Sequence, residues 1–189
     1  YRDGHCNHYF FPTEGWEPVK RIHSDNHLWL IMDVYSIVME EGKLDYLWEK
    51  APFYDGGEGT VWEHIKQSVE LHSDWNDMLY KVCREGKGES IWTAMQFGTV
   101  LRLMQELSGL LGEDGSRYEK LYEAQKELVN TVGWDGEWFR RCITDEGRMI
   151  GSAKEPQAKI WLNTQTWSVI SGMGDPEKRV EAMDSVARY

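Results

Sequence analysis

The sequence predicts an all-α protein in which helices are joined by long loops, as an α-hairpin array or an α/α barrel. Three observations predict it. Helix start and stop signals recur along most of the chain, the segments between them carry apolar residues at helical spacing, and strand-like sequence is confined to one short stretch. No internal repeat of fixed period and no low-complexity segment is present, which disfavours a solenoid.

Residues 1–22 have no clear period and hold Pro12, Gly15 and Pro18, so they read as irregular. Ser24 or Asp25 can then cap a helix running through His27-Leu28-Trp29-Leu30-Ile31-Met32 to Met39, closed by Gly42. Leu44 to Trp48 reads as a further helical piece. Pro52 and the turn Asp55-Gly56-Gly57-Glu58-Gly59 break the chain. Thr60-Val61-Trp62-Glu63 is a capping box, which predicts a helix to about Leu71. A loop through Gly86-Lys87-Gly88 leads to Ser90–Leu111, with Ile91, Met95, Val100, Leu101, Met104, Leu107 and Leu111 at helical spacing. Ser116-Arg117-Tyr118-Glu119 reads as a second capping box, opening a helix to about Val132. Trp138–Ile143 and Arg148–Gly151, around Asp145-Glu146-Gly147, predict a small hairpin. Thr164–Ser171 is a short helix, and Asp175-Pro176-Glu177 starts the last one, with proline in the first helical position.

The chain has 189 residues, enough for one domain with a real core. Its net charge of -11 argues against nucleic acid or an anionic membrane surface as partner, since both would repel it. No apolar run is long enough to span a membrane, and the polar, histidine-rich start does not read as a signal peptide. Cys6, Cys83 and Cys142 are odd in number and widely spaced, which predicts reduced thiols in a cytoplasmic protein rather than a disulfide framework. Aromatic residues make up 13% of the chain, with 10 Trp. Flat sugar C–H faces stack on such rings while their hydroxyls need polar neighbours, so aromatic and acidic residues together suit a carbohydrate site. For any one tryptophan, filling a core is the simpler reading.

Asp74-Trp75-Asn76-Asp77 is the most informative segment for chemistry. A tryptophan beside a carboxylate excludes water and raises the acid's pKa, as a general acid near neutral pH requires. Asp74 or Asp77 could equally cap a helix starting near Met78, and spacing alone does not separate the two. Gly86-Lys87-Gly88-Glu89-Ser90 could offer backbone N–H groups to phosphate, but it lacks the spacing of a Walker loop, and a capped turn is the simpler reading. His5, His8, His23 and His27 lack the paired spacing of a zinc site, which favours polar lining over metal ligation. Glu119, Glu123, Lys126 and Glu127 form a solvated helix face.

Ser24-Asp25-Asn26-His27-Leu28-Trp29-Leu30, Asp55-Gly56-Gly57-Glu58-Gly59-Thr60-Val61-Trp62-Glu63-His64 and His72-Ser73-Asp74-Trp75-Asn76-Asp77-Met78-Leu79 resemble the cellobiose/cellodextrin/chitobiose phosphorylases of glycoside hydrolase family 94. So do Gly86-Lys87-Gly88-Glu89-Ser90, Trp134-Asp135-Gly136-Glu137-Trp138 and Leu162-Asn163-Thr164-Gln165-Thr166-Trp167, in the family's order over almost the whole chain. The cellodextrin-like branch is the nearest.

The resemblance implies a partial (α/α)6 barrel, with residues 1–189 a segment of a single helical-barrel catalytic domain in a longer, usually homodimeric enzyme. It implies inverting phosphorolysis of a β-glucosidic bond in cellobiose or β-gluco-oligosaccharides, releasing α-glucose 1-phosphate. Inorganic phosphate is then co-substrate, and no cofactor or metal is implied. Carried onto this sequence, the general acid is Asp77 and the tryptophan of the sugar subsite is Trp75. One acid suffices, because phosphate is already an anionic nucleophile, whereas an inverting hydrolase needs a second carboxylate to activate water. The family's upstream Arg/Asp sugar-binding segment and downstream phosphate-binding segment have no counterpart here. Gln67-Ser68-Val69-Glu70 also runs into Leu71-His72 with fewer residues than in relatives. These departures predict that residues 1–189 alone do not catalyse phosphorolysis. An inverting hydrolase on the same fold, or a sugar-binding or assembly module without catalysis, are the alternatives.

Overall fold

The computed structural model describes residues 1–6, 25–69 and 85–189. Helix α1 (Asn26–Glu41) buries His27, Leu28, Ile31, Val34 and Val38, a stripe at three- and four-residue spacing. It ends where expected, on Gly42 in the left-handed conformation, whose N–H donates to the Val38 carbonyl at 2.9 Å. Asp25 occupies the N-cap position without a side-chain cap bond. Its Oδ2 accepts instead from the Trp29 indole N–H at 2.8 Å.

A 3₁₀ turn over Asp45–Trp48 leads into an antiparallel pair, β1 (Lys50–Pro52) and β2 (Glu58–Thr60). The sequence predicted only a break there. Three-residue strands are too short to display a period of two, so the pairing left no pattern to read. The fold-back stacks Phe53 on the His64 ring at 3.9 Å and brings Phe53 so close to Gly59 that an added Cβ would lie 2.9 Å from its ring.

Helix α2 (Val61–Ser68) opens on the predicted capping box: Thr60 Oγ1 accepts from Glu63 N at 3.1 Å, and the Glu63 carboxylate accepts from Thr60 N at 2.7 Å. Helix α3 (Ile91–Leu111) is capped by Ser90, whose hydroxyl accepts from Thr93 N at 3.2 Å. The second capping box is not formed. Helix α4 (Ser116–Thr131) takes Gly115 as N-cap, so Ser116 is already helical, and its N–H and hydroxyl donate to Asp114 at 2.9 and 3.1 Å. A more favourable acceptor two residues upstream moved the cap.

The predicted hairpin is present as β4 (Cys142–Ile143) and β5 (Met149–Ile150), shorter than expected. It gains a third antiparallel strand, β3 (Glu89–Ser90), from the residues just ahead of α3. Helix α5 (Leu162–Ile170) begins ahead of the expected Thr164. Helix α6 (Pro176–Arg188) has Asp175 at its N-cap and proline in its first turn, but the Asp175 carboxylate accepts from Lys178 Nζ at 3.1 Å rather than from backbone.

The fold is therefore mostly helical with two small antiparallel sheets among the described residues. Its packing alternates. Helix α3 lies against both α1 and α5, while α2 packs on α1, α4 on α3 and α6 on α5. The apolar core runs through the first set, with Leu28, Ile31, Met95, Leu101, Met104 and Leu107 fully buried. Among the described residues, no helix is long and apolar enough to cross a membrane.

Candidate functional site

Asp77 and Trp75, with Asp74, lie outside the described residues, as do His8, His23, Ser24 and Cys83. Three tryptophans on separate helices nevertheless meet among the described residues. Trp29 stands in the first turn of α1, Trp92 in the first turn of α3 and Trp167 in the second turn of α5. The Trp167 ring meets Trp29 edge-on at 6.0 Å and Trp92 at 5.7 Å, so side chains from three helices meet at one place.

Polar groups lie under this aromatic cluster. Gln96 is one turn beyond Trp92 on the same face of α3, and Thr164 is one turn before Trp167 on α5. Both are fully buried, yet among the described residues the Gln96 amide and the Thr164 hydroxyl have no hydrogen-bond partner. Buried polar atoms are normally paired with protein or water, and these two lie one turn from the buried Trp92 and the half-buried Trp167. Gln165, by contrast, is fully used: it accepts from Phe139 N at 2.9 Å and donates to the carbonyls of Phe139 and Trp161 at 2.8 and 3.1 Å. It locks α5 to the loop before β4.

The start of α3 is anchored from the hairpin. Arg141 is fully buried; its Nη1 donates to Ser90 Oγ at 3.1 Å, and its guanidinium lies 5.8 Å from both the Trp92 and the Trp161 ring centres. The Ile91 N–H donates to the Arg141 carbonyl at 3.2 Å. The Gly86-Lys87-Gly88 loop is resolved in favour of a structural turn. Asp145 Oδ1 accepts from the N–H groups of Lys87 and Gly88 at 2.9 and 2.8 Å, and Oδ2 from that of Glu85 at 2.9 Å. The donors that a phosphate would use are already committed to this carboxylate.

His27 is buried in α1, and the His5 ring sits 3.1 Å from Asp3. Among the described residues, no three His, Cys, Asp or Glu side chains converge as metal ligands. Cys142 is a buried free thiol, and Cys6 is a half-buried one whose pKa is pushed up by burial. The tryptophan cluster is the feature that single-residue reading missed. Each ring sits in a segment that reads as helical, but which helices lie side by side is not written locally.

Residues 13–189 match the family described as the catalytic domain of the glycosyl hydrolase 94 superfamily. The chain is 34% identical to solabiose phosphorylase of Paenibacillus borealis over 98% of its own length and 26% of that protein. It is 32% identical to N,N'-diacetylchitobiose phosphorylase of Vibrio proteolyticus over 90% of its length and 23% of that protein. Cellobionic acid phosphorylase of Neurospora crassa is 30% identical over 82% of the chain and 22% of that protein. The chain thus spans about a quarter of the length of these curated relatives. With residues 13–189 matched, the chain belongs to the catalytic domain of the glycosyl hydrolase 94 superfamily.

Proposed function

We propose that the protein carrying this chain is a glycoside phosphorylase that cleaves a β-linked disaccharide or short oligosaccharide with inorganic phosphate. The structural observation that carries the reading is the Trp29–Trp167–Trp92 contact between three helices, one turn from Gln96 and Thr164, whose polar atoms have no partner among the described residues. Aromatic faces and buried polar groups are what a saccharide needs. Relatives named as phosphorylases of solabiose, N,N'-diacetylchitobiose and cellobionic acid support the reaction class. Their different sugars leave cellobiose or a β-gluco-oligosaccharide as the specific substrate we put forward.

In the proposed reaction a phosphate oxygen attacks the anomeric carbon opposite the glycosidic oxygen. The C1–O bond to the leaving sugar breaks, and Asp77 gives its proton to the departing oxygen. The products are the shortened saccharide and an α-sugar 1-phosphate, here α-glucose 1-phosphate, with the configuration inverted. Asp77 regains a proton from solvent for the next cycle. Trp75 supplies the apolar wall that keeps its carboxyl protonated. Positive groups aimed at phosphate supply much of the remaining stabilisation. The alternation of α1, α3 and α5 with α2, α4 and α6 is what part of an (α/α)6 barrel would show, and a cytoplasmic homodimer completes the proposal.

The test offers cellobiose, cellotriose and N,N'-diacetylchitobiose to the intact protein with and without phosphate, and reads sugar 1-phosphate by phosphorus NMR. Asp77→Asn should lower phosphorolysis by roughly 10²–10⁴-fold with sugar binding nearly unchanged. Unaltered turnover in that variant removes Asp77 as the acid. Sugar release that ignores phosphate points instead to an inverting hydrolase, and binding without turnover to a non-catalytic module.

A further inference from the structure

Trp29 and Trp48 are the exposed tryptophans among the described residues, at 37% and 51% exposure, and their surroundings differ. Among the described residues, Trp48 has no hydrogen bond to its indole and no ring against it. Trp29 is held at three points. Its backbone N–H donates to the Asp25 carbonyl at 3.0 Å, its indole N–H donates to Asp25 Oδ2 at 2.8 Å, and the Trp167 ring meets it edge-on at 6.0 Å. Asp25 is buried and is itself tied down, because its carbonyl also accepts from Leu28 N at 2.9 Å. It stands at the N-cap of α1, where a carboxylate ordinarily accepts from the backbone of its own helix. Here the carboxylate makes no cap bond and serves the indole instead.

A free surface tryptophan moves between rotamers, and ordering it on binding opposes affinity. A ring already fixed by a buried carboxylate avoids that loss. An N–H donated to an anion also leaves the indole more electron-rich, which strengthens contact between its face and the partly positive C–H groups of a sugar. A β-linked glucosyl unit carries its hydroxyls around its rim and presents such C–H groups on its two faces. We propose that Trp29 is a saccharide-stacking residue and that Asp25 is the positioning residue that fixes its indole. The proposal rests on the reading of this protein as one that acts on β-linked saccharides. Trp48, more exposed but not fixed, is the control within the same chain.

The experiment labels the intact protein with 5-fluorotryptophan and titrates it with cellobiose, cellotriose and N,N'-diacetylchitobiose, reading fluorine NMR. The Trp29 and Trp48 resonances are assigned by Trp29→Phe and Trp48→Phe. At least one saccharide should move the Trp29 resonance and leave that of Trp48 in place. Trp29→Ala should weaken saccharide binding by about tenfold or more, on the order of one lost aromatic contact. Trp29→Phe keeps a ring without the N–H and should fall between Trp29→Ala and wild type. Asp25→Ala should move the Trp29 resonance even without sugar and weaken binding by about threefold or more, since the ring must then be ordered on binding. Asp25→Asn keeps an acceptor oxygen and should recover most of that affinity. A wild-type Trp29 resonance that none of the three saccharides moves overturns the stacking role, and that measurement needs no variant to fold. Wild-type affinity in Trp29→Ala, or an equal loss in Trp48→Ala, overturns it as well. Wild-type affinity in Asp25→Ala, or a loss that Asp25→Asn shares in full, overturns the positioning role. Saccharide binding at Trp29 without formation of a sugar 1-phosphate removes the phosphorolysis reading and leaves the stacking role standing.

Discussion

Helices α3 and α4 pack against each other yet bury themselves in different ways, and the contrast explains how the site is held. Along α3, Ile91, Trp92, Thr93, Met95, Gln96, Phe97 and Gly98 are buried in nearly unbroken succession, as a helix enclosed on most sides must be. Along α4, burial falls on Tyr118, Tyr122, Val129 and Asn130, a single stripe, while Leu121 and Leu128 remain exposed. The enclosed helix carries Trp92 and the orphaned Gln96; the one-sided helix carries a charged outer face.

The largest expected effect tests that contrast directly. Leu101→Ala in α3, fully buried, should cost about 2–5 kcal/mol in denaturant unfolding, because a cavity opens among fixed neighbours. Leu128→Ala in α4, 52% exposed, should stay within about 0.5 kcal/mol. Similar losses at both positions would mean that the two helices do not differ in enclosure.

Two glycines within α3 sharpen the comparison at smaller scale. A Cβ on Gly98 would fall 2.4 Å from the sulfur of buried Met173, so Gly98→Ala should destabilise by about 1–3 kcal/mol through overpacking. A Cβ on Gly109 meets nothing within 4 Å, so Gly109→Ala should stabilise by about 0.5–1 kcal/mol from helix propensity. Opposite signs on one helix are the expected result of thermal melts, and a shared sign would contradict the packing at Met173.

The smallest effect belongs to the α2 capping box. The Glu63 carboxyl is held below its usual range chiefly by the Thr60 backbone N–H. A carboxyl lowered on folding contributes stability fully present above its unfolded pKa and lost as pH falls through the folded one. Wild type should therefore lose stability on acidification below about pH 4.5, the ordinary Glu value, more steeply than Glu63→Gln. Parallel pH profiles would show that the box contributes nothing measurable.

Much of the fold was legible residue by residue. Gly42 as the stop of α1, Thr60 and Glu63 as the start of α2, Ser90 as the cap of α3 and Pro176 at the opening of α6 all follow from chemistry within one turn of chain. The exceptions share one cause. Asp25, Ser116 and Asp175 are sound capping residues by type, yet the Trp29 indole N–H engaged Asp25, the Asp114 carboxylate engaged Ser116, and the Lys178 ammonium engaged Asp175. Short polar side chains choose among nearby partners of similar strength, and local sequence does not rank them.

The sequence by itself determined the helical character, the family and the residues put forward for chemistry, because propensity, capping and motif order are properties of contiguous chain. Tertiary structure alone decided which helices stand together, so that Trp29, Trp92 and Trp167 form one cluster from three separate segments. It also decided that Gly86-Lys87-Gly88 closes on Asp145 rather than on a free anion. Both depend on contacts between residues far apart in the chain, whose partners are chosen by packing and by the need of every buried donor and acceptor to be met, and neither requirement leaves a mark on the neighbouring sequence.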